Sequence, residues 1–155
     1  MKQLLRIRES SLECSDDSGT TRWSLQIEDI VLMAEYTTNE GPWGDDYLFV
    51  FVTVEENKLY FATCSFYADG RDDALARLQE RLGSPIALVL TDSTEWNSRV
   101  LWPPEMARRE YFTFTQVPAE TLRDKAKQWL SGPAHEYVIS RTVRDYLQQQ
   151  LTTNM

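Results

Sequence analysis

The side chains that carry most protein chemistry are nearly missing from this chain. Its 155 residues hold two cysteines and one histidine. Two cysteines cannot build the disulfide framework of a small secreted domain. A chain of this length needs none, because it buries most of the surface that its unfolded form exposes. His135 is the one imidazole, so a Ser–His–Asp or Cys–His site has no other to serve as general base. No G-x-S-x-G elbow accompanies it. Zinc takes several thiolate or imidazole ligands, and the same scarcity argues against it. No nucleotide-binding signature is present, so neither a metal nor a cofactor is expected. No stretch approaches the roughly 18 apolar residues of a membrane span. The segment Met1–Arg8 lacks the apolar run of a secretory signal, so a cytoplasmic location is expected.

Positive charge is also short. Sixteen Lys and Arg face 24 Asp and Glu, for a net charge of −8 and a pI near 4.7. Such a chain repels phosphate backbones and anionic membrane surfaces, so neither nucleic acid nor membrane is an expected partner. The imbalance is confined to residues 1–98, which carry 8 basic and 18 acidic side chains; residues 99–155 are slightly basic, with 8 and 6. That acidic field serves solubility, and it would also steer a basic protein inward.

What is present is an ordinary apolar content of 42%, with aromatics at 12%. Trp23, Leu25 and Ile27 alternate with polar residues, as in a strand with one buried face. Glu28-Asp29 interrupts, and Ile30 to Tyr36 runs on as a strand buried on both sides. Tyr47–Val54 is the clearest strand. With Leu59–Phe66, across the turn at Glu55–Lys58, it forms a hairpin expected at the centre of the sheet. Cys64 reads as a small buried hydrophobe in that hairpin. Ala74, Leu75, Leu78 and Leu82 repeat at helical spacing after Asp72 or Asp73 as cap, and Gly83 stops the helix. Ile86–Leu90 reads as a further buried strand, and Tyr111–Phe114 as the last one. A helix is expected after Pro118, and a second carrying Val138, Ile139, Val143, Tyr146 and Leu147. This order predicts one α+β domain over 1–155. It has a mainly antiparallel sheet of about six to nine strands, one inserted helix, and two C-terminal helices packed on one face.

Two loops stand out. The first, Glu40-Gly41-Pro42-Trp43-Gly44-Asp45-Asp46, carries three carboxylates around a tryptophan. Carboxylates suit hard cations, although the spacing is not that of an EF-hand. The plain reading is a solvated loop with Trp43 folded onto the sheet. The second runs from Asp92 through Trp96 and Arg99 to Trp102. Trp and Arg are enriched at interface hot spots. Its plain reading has both tryptophans capping the core and Arg99 paired with a local carboxylate. Ala68–Asp73 is acidic too, but helix capping explains it.

Trp43, Asp45, Asp46, Trp96, Arg99 and Trp102 are therefore the expected binding residues. The leading expectation is a non-enzymatic interaction module, for instance of inhibitor or immunity type, that binds another protein or a second copy of itself. The alternatives are a hydrolase built on Glu40, Asp45 and Asp46 with Arg99, and a small-molecule binder with a groove of Trp43, Trp96 and Trp102.

Overall fold

The computed structural model describes residues 2–38, 46–91, 93, 96–116 and 135–153. Among these lie strands β1 (Gln3–Arg8), β2 (Ser11–Asp16), β3 (Thr21–Gln26), β4 (Ile30–Thr37), β5 (Tyr47–Glu55) and β6 (Lys58–Ser65). Helix α1 (Arg71–Leu82) follows, then β7 (Asn97–Trp102), β8 (Phe112–Gln116), β9 (His135–Ile139) and helix α2 (Arg141–Thr153). All ladders between these strands are antiparallel.

The α+β class is as expected, but the strands do not form one sheet of six to nine. They divide into sheets of three, four and two, in the orders β1-β2-β3, β6-β5-β4-β7 and β8-β9. A single 3-10 turn at Ile27–Asp29, where the acidic pair interrupts the pattern, carries the chain from the first sheet to the second.

Local chemistry explains the hairpins. The Asp16 carboxylate accepts the N–H groups of Ser18 and Thr20, each at 3.0 Å, and closes the β2–β3 turn. Glu56 and Asn57 both have positive φ, 50° and 65°, as a two-residue turn matched to strand twist requires.

The four-stranded sheet is a middle layer, because β5 is apolar on both sides. Met33, Tyr47, Phe49, Phe51 and Leu101 meet Leu5, Leu12 and Leu25 of the first sheet and Ala74, Leu75 and Leu78 of α1. The other face, with Leu32, Ala34, Val50, Val52 and Val100, meets Val143 and Leu147 of α2, and Tyr111 and Phe112 at β8. Each fully buried Val, Leu, Met or Phe among them contributes about 1.5–3 kcal/mol. The helices therefore lie on opposite faces rather than on one. A strand with two apolar faces must be covered on both.

Several local expectations are corrected. The first helix does not begin with an aspartate cap. Its first flanking residue is Gly70, at φ 77°, where a Cβ would lie 2.6 Å from the Leu5 carbonyl oxygen. Asp72 and Asp73 sit in the first turn, where their charge complements the helix dipole. The helix does end at Gly83, at φ 68°. Ile86–Leu90 joins no sheet; side chains take its N–H groups, Gln79 Oε1 that of Ile86 and the Glu35 carboxylate those of Val89 and Leu90. Strand β6 is an edge, not the centre of its sheet. Val138 and Ile139 belong to β9, which begins at His135, rather than to a helix. The last helix starts one residue after Ser140, whose hydroxyl accepts the Val143 N–H at 3.3 Å, a side-chain cap. The helix expected after Pro118 lies outside the described residues. No described helix is long and apolar enough to cross a membrane.

Candidate functional site: an apolar groove behind an edge strand

Strands β4, β5 and β6 present Tyr36, Leu48, Val50, Phe61 and Thr63 on the α2 side of the sheet. Trp96, Tyr111, Phe112 and Ile139 close over them and leave an apolar cavity of about 560 Å³. A buried serine positions its roof. The Ser98 hydroxyl accepts the N–H groups of Tyr111 at 3.2 Å and Phe112 at 3.0 Å, and donates to the Phe112 carbonyl at 3.1 Å. The Ser140 N–H donates to the Tyr111 carbonyl at 2.9 Å and ties the start of α2 to the same segment. Phe112 meets Tyr36 edge-on at 5.4 Å and Tyr111 at 5.7 Å. Burial, then the neighbouring Tyr36, pushes the Tyr111 phenol up to about 12.

Phe61 is the conspicuous member. It lines the groove and is still 47% exposed, as is its neighbour Tyr60. Strand β6 is the edge of its sheet, and none of Lys58 to Thr63 is buried. Two bonds cover the far end of that edge. The Trp23 indole N–H donates to the Thr63 carbonyl at 2.8 Å, and the Ser65 N–H donates to Gln3 Oε1 at 2.8 Å. The opposite edge, β7, is covered by the returning chain. There the Val100 N–H donates to the Arg109 carbonyl at 2.7 Å, and the Arg108 N–H to the Val100 carbonyl at 2.8 Å.

Neither protein-family profiles, nor curated proteins, nor solved structures gave a match.

The expected site residues disperse. Trp43 and Asp45 lie outside the described residues, as does Glu40. Asp46 meets the groove's rim through its backbone, since its carbonyl accepts the Thr38 N–H at 2.9 Å and Thr38 lines the cavity. Trp96 lies in the groove. Trp102 does not: it packs against the core on the opposite face, beside Ile27, Ile30 and Leu82. The Arg99 guanidinium donates to Asn97 Oδ1 at 2.8 Å and to the Ser98 carbonyl at 2.6 Å, so it is paired locally, though with an amide and a carbonyl rather than a carboxylate. Among the described residues no group of three or more His, Cys, Asp or Glu is placed to hold a metal ion.

Sequence reasoning passed over one buried acid. Glu35 is fully buried in β4. Its carboxylate accepts the N–H groups of Val89 at 2.6 Å and Leu90 at 2.9 Å, and the Tyr47 hydroxyl. Burial and then this bond push the Tyr47 phenol far above its ordinary value. A buried carboxylate persists when its lone pairs are satisfied, and here it anchors the 86–90 segment to the sheet. A lone acid inside an apolar strand was the signal. Phe61 was also legible as a strand residue, but not as a groove residue, because its exposure depends on which strand lies beyond it.

Proposed function

We propose that the protein is a non-enzymatic interaction module that binds an extended segment of a partner protein along β6. The partner's backbone adds a strand beside Leu59–Phe61, and an alternate apolar side chain enters the groove past Phe61. Exposed sheet edges recruit extended peptides in this way: backbone bonds give affinity and pockets give specificity.

The observation that carries this reading is Phe61, half exposed on an edge strand and forming the lip of the cavity. Edge strands are ordinarily blunted by charge, proline or a covering segment. The run Leu59-Tyr60-Phe61-Ala62-Thr63 has neither charge nor proline. Acidic Glu55 and Glu56, both exposed at the adjoining turn, favour a partner with basic residues flanking its apolar one.

The test is selection from a random-peptide display library, followed by amide chemical-shift mapping. Binders should perturb Leu59–Thr63 together with Trp96 and Phe112, and Phe61→Lys should weaken them at least tenfold. Binders that map elsewhere, or that keep their affinity for the Phe61→Lys variant, would overturn the reading. A small apolar molecule is the second reading, favoured by a cavity volume within the range of about 300–1,000 Å³ typical of ligand pockets. Such a molecule would perturb the groove side chains and leave the Leu59 and Phe61 amides unmoved.

A further inference from the structure

The chain's two cysteines are 50 positions apart and lie on different sheets, Cys14 in β2 and Cys64 in β6. They nonetheless meet. Their sulfurs are 3.5 Å apart, and the side chains are buried, at 0% and 1% exposure. Strand register sets the encounter. Cys14 stands opposite Leu5 on one side and Trp23 on the other, Cys64 stands opposite Phe49, and all of them face the space between the two sheets. A second cross-sheet link lies beside the pair, where the Trp23 indole binds the Thr63 carbonyl. The ladder also shifts register between Cys14 and Ser15, a local irregularity next to the sulfur. Burial alone would place each thiol among aliphatic neighbours. It gives no reason for the only two thiols of the chain to touch.

We propose that Cys14 and Cys64 form a dithiol that a peroxide closes into a disulfide, covalently stapling the three-stranded sheet to the edge strand of the four-stranded one. A disulfide requires sulfurs about 2.05 Å apart, so about 1.5 Å of closure remains. The hydrogen bond with Cys64 lowers the Cys14 pKa; burial opposes this and the charge of Arg22 assists it. In the proposed step Cys14, ionised to its thiolate, takes the attacking role. Its sulfur attacks one oxygen of hydrogen peroxide and the O–O bond breaks. Cys14 becomes a sulfenic acid, and hydroxide leaves and is protonated to water. The Cys64 thiolate then attacks the Cys14 sulfur. The S–S bond forms, the S–O bond breaks, and the hydroxyl departs as a second water. Two thiols are oxidised, one peroxide is reduced, and two waters result. Burial shuts out bulky disulfide reagents more than a two-oxygen molecule. The staple is independent of the binding reading, although it would clamp β6 one residue from Thr63 in the groove.

The experiment treats the reduced full-length chain with a small excess of hydrogen peroxide at neutral pH. Peroxide is then removed, the protein is unfolded in an alkylating agent, and its intact mass is measured. The expected product is a single chain lighter by two hydrogen masses, with neither thiol alkylated. Its Tm should be raised by about 5–15 °C, and dithiothreitol should reverse the change. Two alkylated thiols, added oxygen atoms, a disulfide joining two chains, or a disulfide without a rise in Tm would each overturn the proposal. Cys14→Ser and Cys64→Ser should each abolish the peroxide-dependent rise. The mass measurement on the unsubstituted chain decides the question even if either variant fails to fold.

Discussion

The two faces of the four-stranded sheet are supplied by the same strands and end differently. On one, Tyr47, Phe49 and Phe51 are closed in by a second sheet and α1, and the buried Glu35 has three hydrogen-bond donors. On the other, Leu48 and Val50, one residue away along β5, line an open groove beside an exposed Phe61. The difference is not in the apolar character of the strand, which is the same on both sides. It lies in what crosses over. The first face receives the three-stranded sheet and α1, while among the described residues α2 and the paired strands β8 and β9 cover only part of the second. Burial of apolar area is non-directional, so a strand that is apolar on both faces leaves apolar surface exposed wherever its cover is incomplete.

The sharpest way to break that contrast is to open the closed face. Glu35→Ala removes the acceptor for two backbone N–H groups and a phenol in a dry interior, with an expected loss of about 3–5 kcal/mol in urea unfolding. Glu35→Gln should recover part of it. A loss below about 1 kcal/mol would mean that the 86–90 segment does not depend on this carboxylate.

Alkaline titration comes next and reaches the second face. The phenols of Tyr111 and Tyr146 are each pushed up to about 12, chiefly by burial. In the unfolded chain a tyrosine ionises near 10. Above that pH the unfolded state holds fewer protons than the folded one, so stability is fully present below pH 10 and falls as pH rises toward 12. For the deeply buried Tyr111 the loss is on the order of 2–3 kcal/mol. Tyr111→Phe should flatten that part of the decline in denaturant midpoints measured from pH 8 to 12. An unchanged slope would show that Tyr111 ionises freely in the fold.

The smallest expected effect separates binding from packing. Arg99→Ala removes bonds to Asn97 and Ser98 made at a half-buried site, and should cost under about 1 kcal/mol in stability. It should also leave selected peptides bound with unchanged affinity. A tenfold weakening would return Arg99 to the site and extend the groove to the other face.

How far the sequence could be read is clearest at particular elements. The β5–β6 hairpin was legible because β-branched and aromatic runs and turn chemistry agree there. The end of α1 was legible because Gly83 supplies the left-handed conformation a helix stop favours. Ile86–Leu90 misled, since an apolar run reads as a strand whether its N–H groups meet a neighbouring backbone or a carboxylate 54 positions away. Val138 and Ile139 misled because their spacing suits a helix; the Ser140 cap was the signal that the helix starts later. Trp96 and Trp102 were singled out together, and only Trp96 lines the groove. A separation of six positions does not reveal on which face of a sheet each tryptophan will lie.

By itself the sequence determined the α+β class, the hairpins and their turns, and the two-sided apolar character of β5. It also determined the scarcity of imidazole and thiol. These follow from composition and from periods of two and 3.6 residues, which are properties of short segments. Only the tertiary structure decided that the strands split into three sheets, and that the helices take opposite faces. It alone decided that β6 is an edge with Phe61 at the lip of a groove, and that Cys14 and Cys64 touch across two sheets. Each of those depends on which distant segments pack together, and contact between segments 50 residues apart is set by the summed burial of the whole chain rather than by any local pattern.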